Sequence, residues 1–132
     1  MDTNLFLSAL LSERGLPARI VNAWRAGRFA LVSSIDQIEE FKRAARYEKV
    51  RPFVSRGAVG KTVNSLRAAE VLLKRLPRAG VSPDPEDEFL LAMAIAAAAD
   101  YLVTGDKALL ELKQVAATRI VSAHRFAAIL AR

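Results

Sequence analysis

The chain has no cysteine and only one histidine, His124. Disulfide frameworks and thiolate metal sites are therefore excluded, which fits a reducing cytoplasm. His124 stands at the start of a closing amphipathic segment, where a solvent-facing helix position is a simpler reading than a general base. With so few nucleophiles and bases, covalent catalysis by the protein itself has little support. No apolar run approaches the ~20 residues that cross a bilayer, and there is no basic-then-apolar leader, so a cytoplasmic protein without a membrane partner is expected. Acidic residues are scarce over much of the chain. Residues 14–78 hold 15 of the 20 Lys and Arg against 5 acids, a local charge of +10, while the remainder is −4. A basic surface around an acidic pole suits a polyanion brought to a cation site, although solvated helix faces would give the same count.

The acids present are concentrated. Residues 84–106 open with Asp84, Glu86, Asp87 and Glu88, then run without charge from Phe89 to Ala99. Carboxylates suit a helix N-terminus, where free N–H groups and the macrodipole favour negative charge. Leu90, Leu91, Ala94, Ile95 and Ala98 recur at helical spacing with alanine between them, so this helix is expected to be apolar all round and buried. Tyr101–Thr104 follows as a short apolar run and reads as a buried parallel strand stopping at Gly105-Asp106.

From the start of the chain, Met1–Asn4 reads as a strand end entering a helix, and Pro17 suits the first turn of a second helix carrying Ile20, Val21 and Trp24. Phe29–Val32 reads as a strand, and Ser33 and Ser34 as caps for a helix over roughly 35–47. Residues 48–57 are basic and irregular around Pro52. Gly60-Lys61-Thr62 lacks the upstream glycine and strand of a phosphate loop. Val59–Leu76 reads as one amphipathic helix ended by Pro77, with a loop from Arg78 to Pro85. A short helix over 108–112, a strand at Arg119–Val121 and a helix over 123–130 complete the chain. Strands alternating with helices predict a single α/β domain over 1–132, a three-layer α/β/α sandwich on a parallel sheet of four or five strands.

In that plan four carboxylates can converge on the carboxyl edge of the sheet: Asp2, Glu40, Asp87 and Asp106. Glu40 alone would pass for half of a surface pair worth ~0.2–0.5 kcal/mol. Together the four repel one another, and such a set is held by hard cations. All-oxygen ligation suits Mg²⁺ or Mn²⁺, and such ions serve phosphodiester hydrolysis by activating water and stabilising the leaving oxygen. Asp87 is chosen over Asp84, Glu86 and Glu88 because it opens the run Asp87-Glu-Phe-Leu-Leu-Ala.

The order Asp2-Thr3-Asn4, Glu40, Asp87 with Phe89-Leu90-Leu91-Ala92, and Tyr101-Leu-Val-Thr104-Gly-Asp106 resembles PIN-domain nucleases over essentially the whole chain, particularly toxin components of toxin–antitoxin systems. The resemblance implies Asp2, Glu40, Asp87 and Asp106 as the metal-binding and catalytic set, supported through hydrogen bonds by Asn4 and Thr104. It implies RNA cleavage with Mg²⁺ or Mn²⁺, inhibition by a cognate antitoxin, and a homodimer. It also implies a first strand lying mostly ahead of Asp2, where only Met1 stands, and a second acid at the place of Ala108. Two other readings accompany the ribonuclease: a catalytically weak PIN module that binds an antitoxin or RNA, and a phosphotransfer enzyme with Asp2 as nucleophile. The last wants an Asp at position 4, where this chain has Asn4.

Overall fold

The computed structural model of the protein describes residues 1–74 and 85–132, with side chains from Asp87 onward in the second block. The expected loop from Arg78 and the helix end at Pro77 lie outside the described residues. Among the described residues, seven helices and five short strands follow one another: α1 (Thr3–Leu11), α2 (Leu16–Arg25), β1 (Val32–Ser34), α3 (Ile35–Ala45), α4 (Arg56–Arg67), β2 (Val71–Leu73), α5 (Pro85–Ala97), β3 (Tyr101–Val103), α6 (Lys107–Leu112), β4 (Gln114–Val115), β5 (Thr118–Val121) and α7 (Ala123–Leu130). One turn of 3-10 helix, Arg51–Phe53, precedes α4.

Side-chain caps set most helix starts. Asp2, Ser34, Ser55, Asp106 and Ser122 each accept a hydrogen bond from a first-turn N–H of α1, α3, α4, α6 and α7, while α2 starts on Pro17. At the other end of α5, Ala98 takes a left-handed φ of 49°. Its N–H donates to Ile95 O and that of Ala99 to Ala94 O, a Schellman closure normally built on glycine. A Cβ in that region costs ~1–2 kcal/mol, part of which glycine returns as unfolded-chain entropy. Ala98→Gly is therefore expected to stabilise the protein by up to about 1 kcal/mol in denaturant titrations.

The described residues form an α/β fold, but its strands fall into two sheets rather than one parallel sheet of four or five. β1 and β2 pair in parallel, and β3-β5-β4 makes the other sheet, with β3 parallel and β4 antiparallel to β5. Beside β3, the Asp2 N–H donates to Val103 O at 2.8 Å, and Met1 lines the space between the two sheets. Helix α5 packs on both β1 and β3. A cavity of about 410 Å³ lies there, lined by Leu31 and Val32 at the start of β1, Tyr101–Val103 of β3, and Leu90, Met93 and Ala94 of α5.

The apolar core divides in the same way. Phe6, Trp24, Leu31, Ile38, Phe41 and Leu66 form one cluster, and Leu90, Leu91, Leu102, Leu109 and Ile120 another. Ile20, Val103 and Phe126 form a third, against which Met1 and Phe29 pack. As expected, α5 is buried over Leu90–Ala94, although Ile95 in its last turn is exposed.

The long helix expected over Val59–Leu76 is corrected. It stops at Arg67, and Val71-Leu72-Leu73 leaves helical spacing to pair with Val32-Ser33-Ser34. Glu70 fixes the break. Its carboxylate accepts from Leu31 N–H at 2.9 Å and from Trp24 Nε1 at 3.2 Å, tying the start of β2 to β1 and α2. Burial alone would raise the Glu70 pKa, but the hydrogen bonds from Leu31 N–H, its own N–H and Trp24 outweigh it and hold the carboxyl below its usual value. The strand expected at Phe29–Val32 is likewise displaced to Val32–Ser34.

Candidate active site

The carboxyl end of β3 meets the first residues of the chain, and the first turn of α3 reaches them through Gln37. After β3, Thr104 is completely buried. Its Oγ1 donates to Asp2 Oδ2 at 2.6 Å and accepts from the N–H of Asp106 at 3.1 Å. One hydroxyl thus joins the two acidic residues expected to converge there, although they are 104 positions apart in sequence. The other Asp2 oxygen accepts from the N–H of Asn4 at 3.1 Å, so Asn4 supports Asp2 through its backbone while its side chain sits at an exposed position. Asp106 Oδ1 accepts from Ala108 N–H at 2.8 Å and Leu109 N–H at 3.2 Å. Each carboxylate therefore caps the helix that follows it.

From the side of β1, Gln37 reaches the same place. It is fully buried, and its Nε2 donates to Met1 O at 2.6 Å while its Oε1 accepts from Ser33 Oγ at 2.7 Å. Sequence reasoning passed over Gln37. The usable signal was Ser34 followed three residues later by Gln, a capping-box spacing, here redirected toward the chain start. Glu40 lies one turn further along α3 and is half-buried, on the side of the helix that Gln37 turns toward α1.

Asp87 sits in the first turn of α5 and is 7% exposed, against a half-buried Glu88. Asp84 and the Glu86 side chain, weighed against it from sequence, lie outside the described residues. His124 is exposed, and Gly60-Lys61-Thr62 lies within α4.

These residues offer carboxylate oxygens, the donor type preferred by hard divalent cations. Among the described residues, no three His, Asp or Glu side chains form a group able to hold a metal ion. The cavity lined by β1, β3 and α5 includes none of the four candidates and is chiefly apolar. The structure directly joins Asp2 with Asp106, through Thr104.

The Met1 α-amino group is buried beside Asp2. Desolvation pushes its pKa down from 8.0 to about 6, and the Asp2 carboxylate opposes the shift. Because the folded value lies below the unfolded one, the unfolded chain binds more protons between those values. For the chain with a free amine at Met1, stability is therefore expected to be complete above about pH 8 and to fall as pH drops toward 6, by on the order of 2–3 kcal/mol. Melting temperatures across that range would show the slope, and Nα-acetylation should flatten it.

An α/β chain with acidic residues at the ends of strands and at a helix start belongs to a recognisable class, and comparison with known families identifies it. A family model described as PIN domain matches residues 1–108, and the chain belongs to the PIN-domain family. Proteins of this family are generally metal-dependent nucleases. No curated protein and no solved structure matches the chain. Among the described residues, no helix is long and apolar enough to cross a membrane.

Proposed function

We propose that the protein is a metal-dependent endoribonuclease, the toxin of a cytoplasmic toxin–antitoxin pair. In this reading Asp2, Glu40, Asp87 and Asp106 hold Mg²⁺ or Mn²⁺, with Thr104 and Asn4 positioning Asp2. A divalent cation there would supply charge neutralisation and acidify the water that attacks the phosphodiester. The chain's own residues set up the site: Thr104 aims the Asp2 carboxylate, Asp106 holds its place at the start of α6, and Gln37 fixes the backbone ahead of Asp2. The observation that carries the reading is the bridge from Asp2 through the Thr104 hydroxyl to Asp106, on a chain that belongs to a nuclease family. The antitoxin and a homodimer are part of the proposal.

Incubation with labelled single-stranded RNA tests the activity, with Mn²⁺, with Mg²⁺ and with chelator. Cleavage that requires the cation and produces internal cuts is expected; intact RNA with either ion would end the reading. Arrested growth on expression, relieved by a small protein encoded beside it, would test the toxin assignment.

A second reading has its own support. Because no three described acids gather into a cation site, a PIN module that binds RNA or an antitoxin while cutting poorly is the alternative. It predicts RNA binding without cation-dependent cleavage.

A further inference from the structure

The link between α3 and α4 combines three features that neither the fold nor the acidic site requires. From Lys42 to Lys61 there are seven basic residues and one acid, Glu48, a net +6 that equals the formal charge of the whole chain. Arg43, Arg46, Lys49, Arg51, Arg56 and Lys61 are exposed. Two aromatic side chains stand among them, Tyr47 at 61% and Phe53 at 72% exposure, the highest values among the exposed large hydrophobics of the described residues. A single exposed aromatic is ordinary; two, interleaved with six exposed cations, are a pattern.

The backbone beneath them is fixed. Tyr47 O accepts from both Val50 N–H and Arg51 N–H, at 2.9 and 2.8 Å, and Phe53 N–H donates to Val50 O at 2.9 Å. Val50 packs into the core against the cluster containing Phe41 and Leu66. Ser55 then caps α4 through Ala58 N–H. The aromatics are thus presented by a hydrogen-bonded, anchored turn.

We infer that Tyr47 and Phe53, with the cations around them, form a stacking platform for single-stranded RNA, guiding it toward the acidic residues. The inference deepens the ribonuclease reading and rests on it for the choice of RNA as ligand. Unpaired bases offer the π faces such aromatics take, and the phosphates between them match the cations. A duplex hides its base faces and should benefit from the charge alone. Helix α3, whose first turn reaches Met1 O through Gln37, separates the platform from the chain start by ~16 Å at 1.5 Å per residue. A strand touching both must therefore span several nucleotides.

Fluorescence anisotropy in chelator, with RNA single strands and a hairpin of matched length, tests this apart from catalysis. For strands of about ten nucleotides, Phe53→Ala and Tyr47→Ala should each weaken binding about tenfold while barely changing hairpin affinity. Arg51→Glu should weaken both and flatten the salt dependence. Should Phe53→Ala disturb folding, Phe53→Leu is expected to lose the stacking and Phe53→Trp to keep it. Unchanged single-strand affinity in the Ala variants overturns the inference, as does an equal loss on the hairpin. Sedimentation showing that Phe53→Ala dissolves a dimer with RNA affinity intact would make the surface a protein interface instead. Intact binding with no cleavage in Mn²⁺ would overturn the nuclease reading and leave the platform standing.

Discussion

Asp106→Asn is expected to cut RNA cleavage by at least about a hundredfold and to leave the metal-free melting temperature level or slightly raised. The substitution keeps the oxygen that caps α6: Oδ1 accepts from Ala108 and Leu109 N–H, and asparagine caps as well as aspartate. The Asp106 N–H still donates to Thr104. Only the charge is lost. In the proposed site that charge holds a cation, and losing a direct ligand should exceed the ~10–100-fold typical of changes to the residues behind the ligands. Added Mn²⁺ should raise the melting temperature of the parent more than that of the variant, because a cation bound only by the folded state stabilises by mass action. Should Asp106→Asn destabilise the metal-free protein and keep the Mn²⁺ response, Asp106 is a helix cap alone, and the binding-module reading takes the lead.

Thr104→Val is expected to be the more damaging change to the fold, at roughly 2–4 kcal/mol. Valine nearly matches threonine in shape, so no cavity forms and the loss is of the hydroxyl alone. That hydroxyl donates to a carboxylate oxygen, a charge-assisted bond worth ~1.5–3 kcal/mol, and it also accepts the Asp106 N–H. With the hydroxyl gone, buried Asp2 loses a donor and the entry to α6 loses its acceptor together. At roughly 4 °C per kcal/mol for a domain of this size, the melting temperature should drop by about 10 °C. Thr104→Ser supplies the control, since it retains the hydroxyl and removes one methyl. A valine variant as stable as the parent would mean that Asp2 and Asp106 are held by other means.

Much of this was legible from pattern. The α5–β3 unit declared itself because charge, alanine filling and a β-rich run changed at its boundaries, and the chain from Asp106 to Leu130 followed in the expected order. What escaped notice was polar and buried, or apolar and deceptive. Ser33 and Ser34 are fully buried strand residues, so a rule that places apolar residues inside set β1 three residues early. Val71–Leu73 extends the apolar content of α4 without a proline or glycine to mark the break; the break depends on Glu70 meeting Trp24 and Leu31, a contact between distant segments. The β4–β5 hairpin turns at Ala116, with φ of 50°, after Lys113 at 63°, so neither Gly nor Asn advertises it. Asp2, Asp87 and Asp106 stand where pattern places them, before α1, in the first turn of α5 and just after β3, whereas the Thr104 bridge and the Gln37 brace needed the fold.

The slot between the sheets also bears on how the protein fails. β1 and β3 are both edge strands, and both face the cavity that α5 covers. Docked there, α5 packs on both strands, cover of the kind that blunts strand-to-strand association. Heat or mutation that lifts α5 before the strands melt would uncover two strand edges at once. Clumping on warming would then follow the undocking of one helix, ahead of global unfolding, and would grow with protein concentration.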